Sequence, residues 1–256
     1  MNLDALAVQG DRNLAAVWST FGRHAGFTLG QSGHVTLASS GLPMAFFNGA
    51  FVAGPSEDAA AVIADVAAFF AARPSPFLLW VREGVDDVLV AAARAAGLRE
   101  VGGPAGMVLA SIGPVPAPPA SLEIRIASTL DDLRAHRAVV VGGFGMPPEI
   151  AHLILGEGLL TDPEVAIAIG SLDGVPVTTA LLGRTGETAG VYNVATLGEN
   201  RGRGFGEAAT WAVISEGARR GCTHSCLQSS DAGYPVYRRM GFVDVGRYVQ
   251  LEGPPE

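Results

Sequence analysis

The apolar and polar positions that follow residue 120 first predict a strand and then two helices. Residues 122–126 alternate Leu and Ile with Glu and Arg, a period of two that is typical of a strand with one buried face. Ser128 is expected to cap a helix, because Asp131 follows three residues later and apolar side chains recur along one side. The run 142–148, with three glycines and two prolines, should end that helix, and a second helix is predicted over about 148–156.

The next segments predict a β-hairpin, a further strand and a long helix. Apolar residues dominate 165–171 and 175–183, and the Asp173-Gly174 pair between them is a strong signal for a two-residue hairpin turn. A strand is expected over 191–197 and a helix over 205–218. Antiparallel strands that lead into a strand–helix unit indicate an α/β fold with a mixed, mostly antiparallel sheet flanked by helices.

Between that strand and that helix stands Arg201-Gly-Arg-Gly-Phe-Gly206. Glycines let the backbone turn tightly and approach a ligand, and a helix that begins there presents unpaired amides and partial positive charge. Arg201 and Arg203 add full charges. The run predicts a phosphate-binding loop. It is neither the dinucleotide fingerprint, which needs Gly-x-Gly-x-x-Gly and a downstream acid, nor a Walker loop, which ends in Gly-Lys-Ser/Thr.

A second motif follows near the end of the chain. After a strand predicted near 225–229, the sequence continues to Tyr237-Arg-Arg-Met-Gly-Phe242. Strand, Arg-x-x-Gly-x-Gly turn, helix, strand and a Tyr before Gly-Phe stand in the order of the GNAT acetyltransferase superfamily, which the chain resembles over roughly residues 121–251. The resemblance implies an acyltransferase of mixed-sheet fold that uses acetyl-CoA and transfers the acetyl group directly to an amine in a ternary complex.

The same resemblance assigns individual residues to the cofactor. The glycine-rich turn would hold the pyrophosphate, the backbone of the preceding strand would lie along the pantetheine arm, and Tyr237 would stand beside the thioester sulfur. Tyr237 is the predicted general acid, since a phenol is protonated near neutrality. The predicted cofactor-binding residues are Val194, Ala195, Thr196, Arg201, Gly202, Arg203, Gly204, Phe205, Gly206, Ser229, Ser230 and Tyr237.

The sequence departs from the family at one contact and leaves one catalytic group open. Where the family pattern has Asn-x-x-Ala-x-x-Leu-Tyr, this chain has Ser230-Asp-Ala-Gly-Tyr-Pro-Val-Tyr237, so a hydroxyl of Ser230 or of Ser229 must make the pantetheine contact. No motif places a general base. The open candidates are a water chain and Glu149, His152, Asp162, Tyr192 and Asp231.

The first half of the chain repeats the plan of the second half. Residues 113–120 hold four prolines and predict an extended linker between a degenerate GNAT-like domain, 1–112, and the acetyltransferase domain, 121–256. Residues 94–102 parallel 238–246 at an offset of 144, although Ala- and Gly-rich helix ends can also resemble one another by chance.

The first copy lacks the predicted chemistry. Asn48 parallels Asn193, but after the first strand Ser56-Glu-Asp58 replaces the glycine-rich turn, and these residues start a helix well while repelling a pyrophosphate. The expected work of the first half is therefore structural: to cover an edge of the second half, to shape the acceptor cleft, or to make a contact in a homodimer.

Composition narrows the partners and the location. A net charge of −8 argues against a nucleic-acid binder and mildly favours a cationic acceptor, either a small amine or a peptide. No apolar run is long enough to span a bilayer and no signal peptide is evident, so a cytoplasmic protein without membrane association is expected. Cys222 and Cys226 offer no disulfide framework, and because they fall where a strand begins, no metal site is predicted.

Two other functions stay open. A CoA or acyl-CoA sensor that had kept the loop but lost turnover would account for the degenerate first half, for Ser230 and for the missing base. An unrelated nucleotide-phosphate binder would prefer ATP or NAD to CoA.

Overall fold

The computed structural model describes residues 2–73 and 75–253, which pack as two compact units. Unit 1 comprises Met1–Met107, Gln228–Tyr234 and Asp244–Glu256, and unit 2 comprises Val108–Leu227 and Pro235–Val243. Met1 and residues 254–256, which the predicted ranges 1–112 and 121–256 include, lie outside the described residues. The division at the 113–120 linker stays a prediction, and the packing adds that the last strand of the chain belongs to the first unit.

Across the described residues the structure has seven α-helices and twelve β-strands. In chain order they are α1 (Leu3–Ala25), β1 (Thr28–Ser32), β2 (Val35–Ser39), β3 (Asn48–Val52), α2 (Ala59–Ala71), β4 (Phe77–Arg82), α3 (Asp87–Ala95), β5 (Arg99–Gly102), β6 (Ala105–Leu109), β7 (Glu123–Ile126), α4 (Leu130–Phe144), α5 (Pro148–Ile154), β8 (Val165–Leu172), β9 (Val175–Thr185), β10 (Thr188–Thr196), α6 (Phe205–Arg219), β11 (His224–Ser229), α7 (Tyr234–Arg239) and β12 (Val243–Gly253).

The sheet of unit 1 is completed by the C-terminal strand. Its order is β1-β2-β3-β4-β12-β6, with β5 paired to β12 beside this path. β3 and β4 run parallel, whereas β1, β2 and β3 pair antiparallel and β12 pairs antiparallel with β4 from Tyr248↔Arg82 to Gly253↔Phe77. Arg82 and Tyr248 pair although 166 positions separate them in the sequence. The C-terminal strand is thus part of the core of unit 1.

Helices cover both faces of this sheet. Because successive strand residues face opposite ways, Leu79 and Val81 of β4 pack with α2 and α3 in one apolar cluster, and Trp80 faces the other way. On that second face Trp18 of α1 stacks on Phe51 of β3, with ring centroids 5.0 Å apart. The sheet is therefore buried between α1 on one side and the α2–α3 pair on the other.

A buried ion pair fixes α1 and β12 to β4. The Arg82 guanidinium donates from Nε (3.0 Å) and Nη2 (2.9 Å) to the carboxylate of Asp11, and its Nη1 donates to the Val245 carbonyl at 3.0 Å. The Tyr248 hydroxyl donates to the same carboxylate at 2.8 Å. Asp11 is only 2% exposed, so loss of either partner would leave a buried charge without compensation.

Unit 2 has the predicted mixed sheet, in the order β7-β8-β9-β10-β11. The first three pairings are antiparallel, and β10 pairs parallel with β11. Helices α4 and α6 pack against the central strands. The mixed, mostly antiparallel α/β architecture predicted from the sequence is confirmed.

Most element bounds predicted in unit 2 lie within two residues of the observed ones, but β10 begins at Thr188, three residues before the predicted start at 191. Asp173 (φ 48°) and Gly174 (φ 78°) form the predicted turn between β8 and β9. The helix cap was misassigned: the capping box of α4 is made by Thr129, whose side chain accepts from the Asp132 amide, and not by Ser128 with Asp131. The reason is that the Asp132 carboxylate accepts from both the Ser128 and Thr129 amides, which fixes the helix start one residue later.

Candidate active site

The candidate site in unit 2 begins where β10 loses one of its neighbours. The parallel pairing with β11 covers only three residue pairs, from Thr188↔His224 to Gly190↔Cys226. Past Gly190, among the residues that the structure describes in unit 2, β10 has no ladder partner on that side. Its backbone amides and carbonyls there are available to an extended ligand, which can bind as an added strand would.

A β-bulge lies at the same point on the opposite side of β10. The register with β9 runs to Tyr192↔Leu181 and resumes at Ala195↔Thr179, so Asn193 and Val194 together oppose one residue of β9. Asn193 has a positive φ of 49°. Bulges redirect a strand and often lie beside functional sites, and this one sets the direction of the predicted pantetheine residues that follow it.

The glycine-rich turn leads into an uncapped helix. Gly204, in the left-handed conformation at φ 78°, is the N-cap of α6 and makes no side-chain capping bond. A Cβ on Gly206 would lie 3.2 Å from Thr196 Oγ1, a tight contact, so glycine lets the helix start this close to β10 without displacing that side chain. An uncapped helix N-terminus presents unpaired amides and partial positive charge, which suits an anion.

The side chains of this turn have partners of their own. Arg201 donates to the Thr196 carbonyl (3.1 Å) and to the Gly143 carbonyl (2.7 Å), which joins the end of β10 to the last turn of α4. Arg203 donates to the Asn200 side chain at 3.1 Å and lies over the Phe205 ring, 4.5 Å from its centroid. The Phe205 ring is buried in the core, so only its backbone amide is left for a ligand.

Tyr237 is connected to the same glycine-rich turn. Its hydroxyl hydrogen-bonds the Thr210 side chain, and the Thr210 hydroxyl donates to the Gly206 carbonyl at 2.9 Å. The ring packs edge-on against Phe242, with centroids 5.9 Å apart. Burial of the hydroxyl raises the pKa of Tyr237 to about 12, against the opposing effect of the Thr210 hydrogen bond. The phenol therefore keeps its proton across the physiological range, as a general acid must.

The two serines assigned to the pantetheine arm make local contacts at the end of β11, in unit 1. The Ser229 hydroxyl donates to the Ser230 carbonyl at 2.8 Å, and Ser229 is 2% exposed. The Ser230 carbonyl also accepts from the Gly233 and Tyr234 amides, which starts the turn into α7. Both hydroxyls shape this turn, and their contact with a cofactor stays a prediction.

Of the open general-base candidates, Tyr192 is the one that lies on β10, directly before the bulge. Glu149 and His152 lie on α5, where His152 Nδ1 is 2.9 Å from the Pro148 carbonyl. The side chain of Asp231 is 97% exposed and belongs to unit 1. The base stays unassigned.

His136, which no motif marks in the sequence, is fully buried on α4. The Thr179 hydroxyl donates to the Ala168 carbonyl, so it must accept from Nδ1 of His136, 2.7 Å away. Nε2 then carries no proton, and its lone pair has no hydrogen-bond donor among the described residues. Burial, and next the nearby Arg137 charge, lower the pKa of His136 to about 3. Apolar neighbours at Leu133, three positions before it, and at Val140 could have shown that it is buried.

Among residues 2–73 and 75–253, no helix is both long and apolar enough to cross a membrane. Nor do these residues contain a group of three or more His, Cys, Asp and Glu side chains arranged to hold a metal ion.

Residues 136–242 match the model of the acetyltransferase (GNAT) family. This part of the chain is a GNAT domain. The matched GNAT segment contains β10, the glycine-rich turn, Tyr237 and the Gly241-Phe242 pair, and the predicted enzyme class, a GNAT-type acyltransferase, is confirmed at the level of the family. No curated protein matches the chain.

Solved structures extend the GNAT fold to the whole chain. A GCN5-related N-acetyltransferase from Kribbella flavida superposes with a TM-score of 0.73 at 20% identity and covers 96% of each chain. One from Sphaerobacter thermophilus gives 0.63 at 21% identity, covering 98% of this chain and 93% of that one. A tandem GNAT protein from the clavulanic acid biosynthesis pathway gives 0.65 at 15% identity, covering 100% and 96%. At these identities the likeness concerns the fold, and the predicted tandem GNAT fold is confirmed.

Proposed function

We propose that the protein is an acetyl-CoA-dependent N-acetyltransferase that transfers the acetyl group directly to an amine within a ternary complex. The observation that carries the proposal is the connection, inside unit 2, of an uncapped helix start at Gly204 with the open edge of β10 and with Tyr237. This arrangement combines an anion site, a strand edge and a protonated acid. Together they suit an acetyltransferase that must position a CoA thioester and protonate the departing thiolate.

The residues of unit 2 fit a CoA thioester. The backbone amides of the 202–206 turn and of the first turn of α6 would bind the pyrophosphate, and the backbone of 194–196 would pair with the amides of the pantetheine arm. Arg203, which lies at the helix start, would add positive charge, whereas Arg201 would support the loop through the Thr196 and Gly143 carbonyls. Acetyl-CoA would supply an acetyl group activated as a thioester.

Tyr237 would hold a proton at its phenol oxygen for the departing sulfur. A pKa of about 12 keeps that proton in place at neutral pH, and the Thr210 hydrogen bond fixes the hydroxyl relative to the glycine-rich turn. The acceptor is proposed to be a cationic amine, on a small molecule or a peptide, because the protein carries a net charge of −8.

Two measurements test the proposal. The first is thermal stabilisation by CoA, with ATP and NAD as competitors; absence of any CoA-dependent shift, or a preference for ATP or NAD, would refute a CoA site. The second is thiol release from acetyl-CoA across a panel of amines, with Tyr237→Phe as the control. That variant should bind CoA as the unaltered protein does but turn over about 100-fold more slowly, at the lower end of the range of about 10²–10⁴-fold for a lost general acid. CoA binding without thiol release with any amine would instead indicate a CoA sensor.

A further inference from the structure

Two residues other than glycine have a positive φ among those described: Asp173 at 48° and Asn193 at 49°. Asp173 is accounted for, because it is exposed in the two-residue hairpin between β8 and β9, where Asp-Gly is the favoured pair. Asn193 lies inside a strand, at the bulge of β10. Asparagine tolerates the left-handed region better than most residues, yet no turn requires it here.

The same residue has a second unexplained feature. Nδ2 of Asn193 is buried and has no hydrogen-bond partner among the described residues, although the side chain as a whole is only partly buried. A buried donor without an acceptor costs about 1–3 kcal/mol. Backbone strain and an unpaired donor at one position are the signature of a group held ready for a ligand.

The position of Asn193 along β10 indicates which part of the ligand it meets. If the 202–206 turn binds the pyrophosphate and 194–196 line the pantetheine arm, the ligand runs back along β10 towards lower residue numbers. The next residue on that path is Asn193, and the group that follows the pantetheine arm is the acyl thioester. This step rests on the proposed function.

We propose that the side-chain amide of Asn193 donates a hydrogen bond from Nδ2 to the carbonyl oxygen of the acyl thioester. A fixed donor at that oxygen orients the acyl group and stabilises the negative charge that grows there as an amine attacks the carbonyl carbon. The partner missing from Nδ2 is then supplied by the donor substrate, and the left-handed backbone at the bulge aims the amide at it.

The test compares ligands that differ only at the carbonyl. Acetyl-CoA carries the oxygen that Asn193 should bind, S-ethyl-CoA replaces that carbonyl by a methylene group, and CoA lacks the two-carbon group altogether. Affinities of the three are measured by calorimetry for the unaltered protein, for Asn193→Gly and for Asn193→Asp. Glycine keeps the backbone conformation without strain, and aspartate keeps the shape but offers no donor.

In Asn193→Gly the preference for acetyl-CoA over S-ethyl-CoA should fall about tenfold, the equivalent of one hydrogen bond, while affinity for CoA stays within about twofold. Asn193→Asp should lose the preference as well. Thiol release should slow about 100-fold, at the lower end of the range of about 10²–10³-fold for removal of one such donor. Asp173→Gly, which relieves the same φ in the hairpin, is the matched control and should change none of these values.

The outcomes separate this inference from the proposed function. If Asn193→Gly binds CoA normally and keeps the full preference for acetyl-CoA over S-ethyl-CoA, the inference is wrong and the CoA site stands. If the unaltered protein does not bind CoA at all, the proposed function fails and the inference fails with it. If Asn193→Gly loses CoA affinity and stability together, Asn193 has a structural role, and the inference is wrong.

Discussion

Each unit has an asparagine in a strand that leads through a loop into a helix, at the start of β3 in unit 1 and in the middle of β10 in unit 2. The two side chains differ in whether their hydrogen-bonding groups have partners. Asn48 of β3 is fully buried and satisfied: its oxygen accepts from the Ser40 amide at 2.9 Å, and its Nδ2 donates to three carbonyls, those of Leu42, Met44 and Pro76, at 2.8–3.1 Å. Asn193 of β10 has an unpaired Nδ2. The side chain of Asn48 therefore stabilises the fold, whereas that of Asn193 has a donor available for a ligand.

The strands that carry these residues differ in the same way. β3 pairs with β2 without interruption from Val35↔Val52 to Ser39↔Asn48, whereas β10 has a bulge against β9 at Asn193. A regular strand satisfies its backbone within the sheet. A bulged strand that has also lost a neighbour leaves groups free for a ligand.

The helix starts that follow these strands show a third contrast. In unit 1 the carboxylate of Asp86 accepts from the Ser56 amide (2.7 Å) and hydroxyl (2.6 Å), and Asp58 caps α2. In unit 2 the N-cap Gly204 has no capping bond. In unit 1 these carboxylates already occupy the positions where an external anion would bind. An anion site on this fold therefore depends on the absence of carboxylates at the helix start as much as on the presence of arginines.

The largest expected effect is on stability, from the same substitution in the two strands. Asn48→Gly removes a set of buried hydrogen bonds and takes a donor away from three carbonyls, so the free energy of unfolding should fall by about 3–5 kcal/mol. Asn193→Gly removes no protein hydrogen bond and relieves a positive φ, so it should change stability by less than about 1 kcal/mol. Urea unfolding followed by circular dichroism measures both. Equal losses in the two variants would show that the asparagines do the same work.

The next effect concerns the open helix start. Gly204→Asp gives α6 an acidic N-cap like that of α2, and the carboxylate should compete with and repel a pyrophosphate. We expect CoA affinity, measured by calorimetry, to fall about a hundredfold. Gly204→Asn is the matched control, because asparagine also caps a helix and tolerates positive φ but carries no charge. If the two variants bind CoA equally, the charge of the loop is not what distinguishes the units.

A smaller effect distinguishes the units by pH. The pKa of His136 in unit 2 is lowered to about 3, below its ordinary value of 6.5. Between these two pH values the unfolded chain binds a proton at His136 and the folded protein does not. Its contribution to stability is therefore intact above about pH 6.5 and is lost as the pH falls towards 3, at up to about 1.4 kcal/mol per pH unit.

The measurement is urea unfolding at pH 7 and at pH 4.5 for the unaltered protein and for His136→Gln, which keeps a side-chain donor for Thr179. The substitution lowers stability at pH 7 and should reduce its fall between the two pH values by about 2 kcal/mol. The same pH dependence in both proteins would mean that His136 titrates freely.

Much of this site is local in the sequence, which is why it could be predicted. The uncapped turn at 201–206, the strand before it and the hairpin at Asp173-Gly174 each depend on neighbours a few residues away. Glycine at positive φ and apolar periodicity leave little choice of backbone there. The capping box of α4 was predicted one residue too early, so such local signals locate a helix start to about one residue.

What could not be predicted depends on residues far apart in the chain. The strand β12 joins unit 1 because its residues pair with β4 and because Tyr248 meets Asp11, 237 positions away. The bulge at Asn193 depends on the register of β9, and no periodicity in β10 marks it. Arg201 carries the same charge in the sequence whether it binds a phosphate or a carbonyl, and only the fold brings the Gly143 carbonyl, 58 positions away, to it.

The smallest expected effect separates the two arginines of the glycine-rich turn. Arg201 acts through geometry, since one guanidinium reaches both the Thr196 and Gly143 carbonyls, whereas the Arg203 guanidinium lies at the helix start over the Phe205 ring. Lysine keeps the positive charge but lacks the planar fork. Arg201→Lys should therefore lose as much CoA affinity as Arg201→Gln, about three- to fivefold, together with about 1 kcal/mol of stability. Arg203→Lys should retain most of the affinity that Arg203→Gln loses, because there the charge is what serves the pyrophosphate. Calorimetric titration with CoA at one fixed salt concentration measures all four variants. If lysine restores binding at position 201 as well, Arg201 acts by its charge, and the bracing of β10 to α4 does not affect the cofactor.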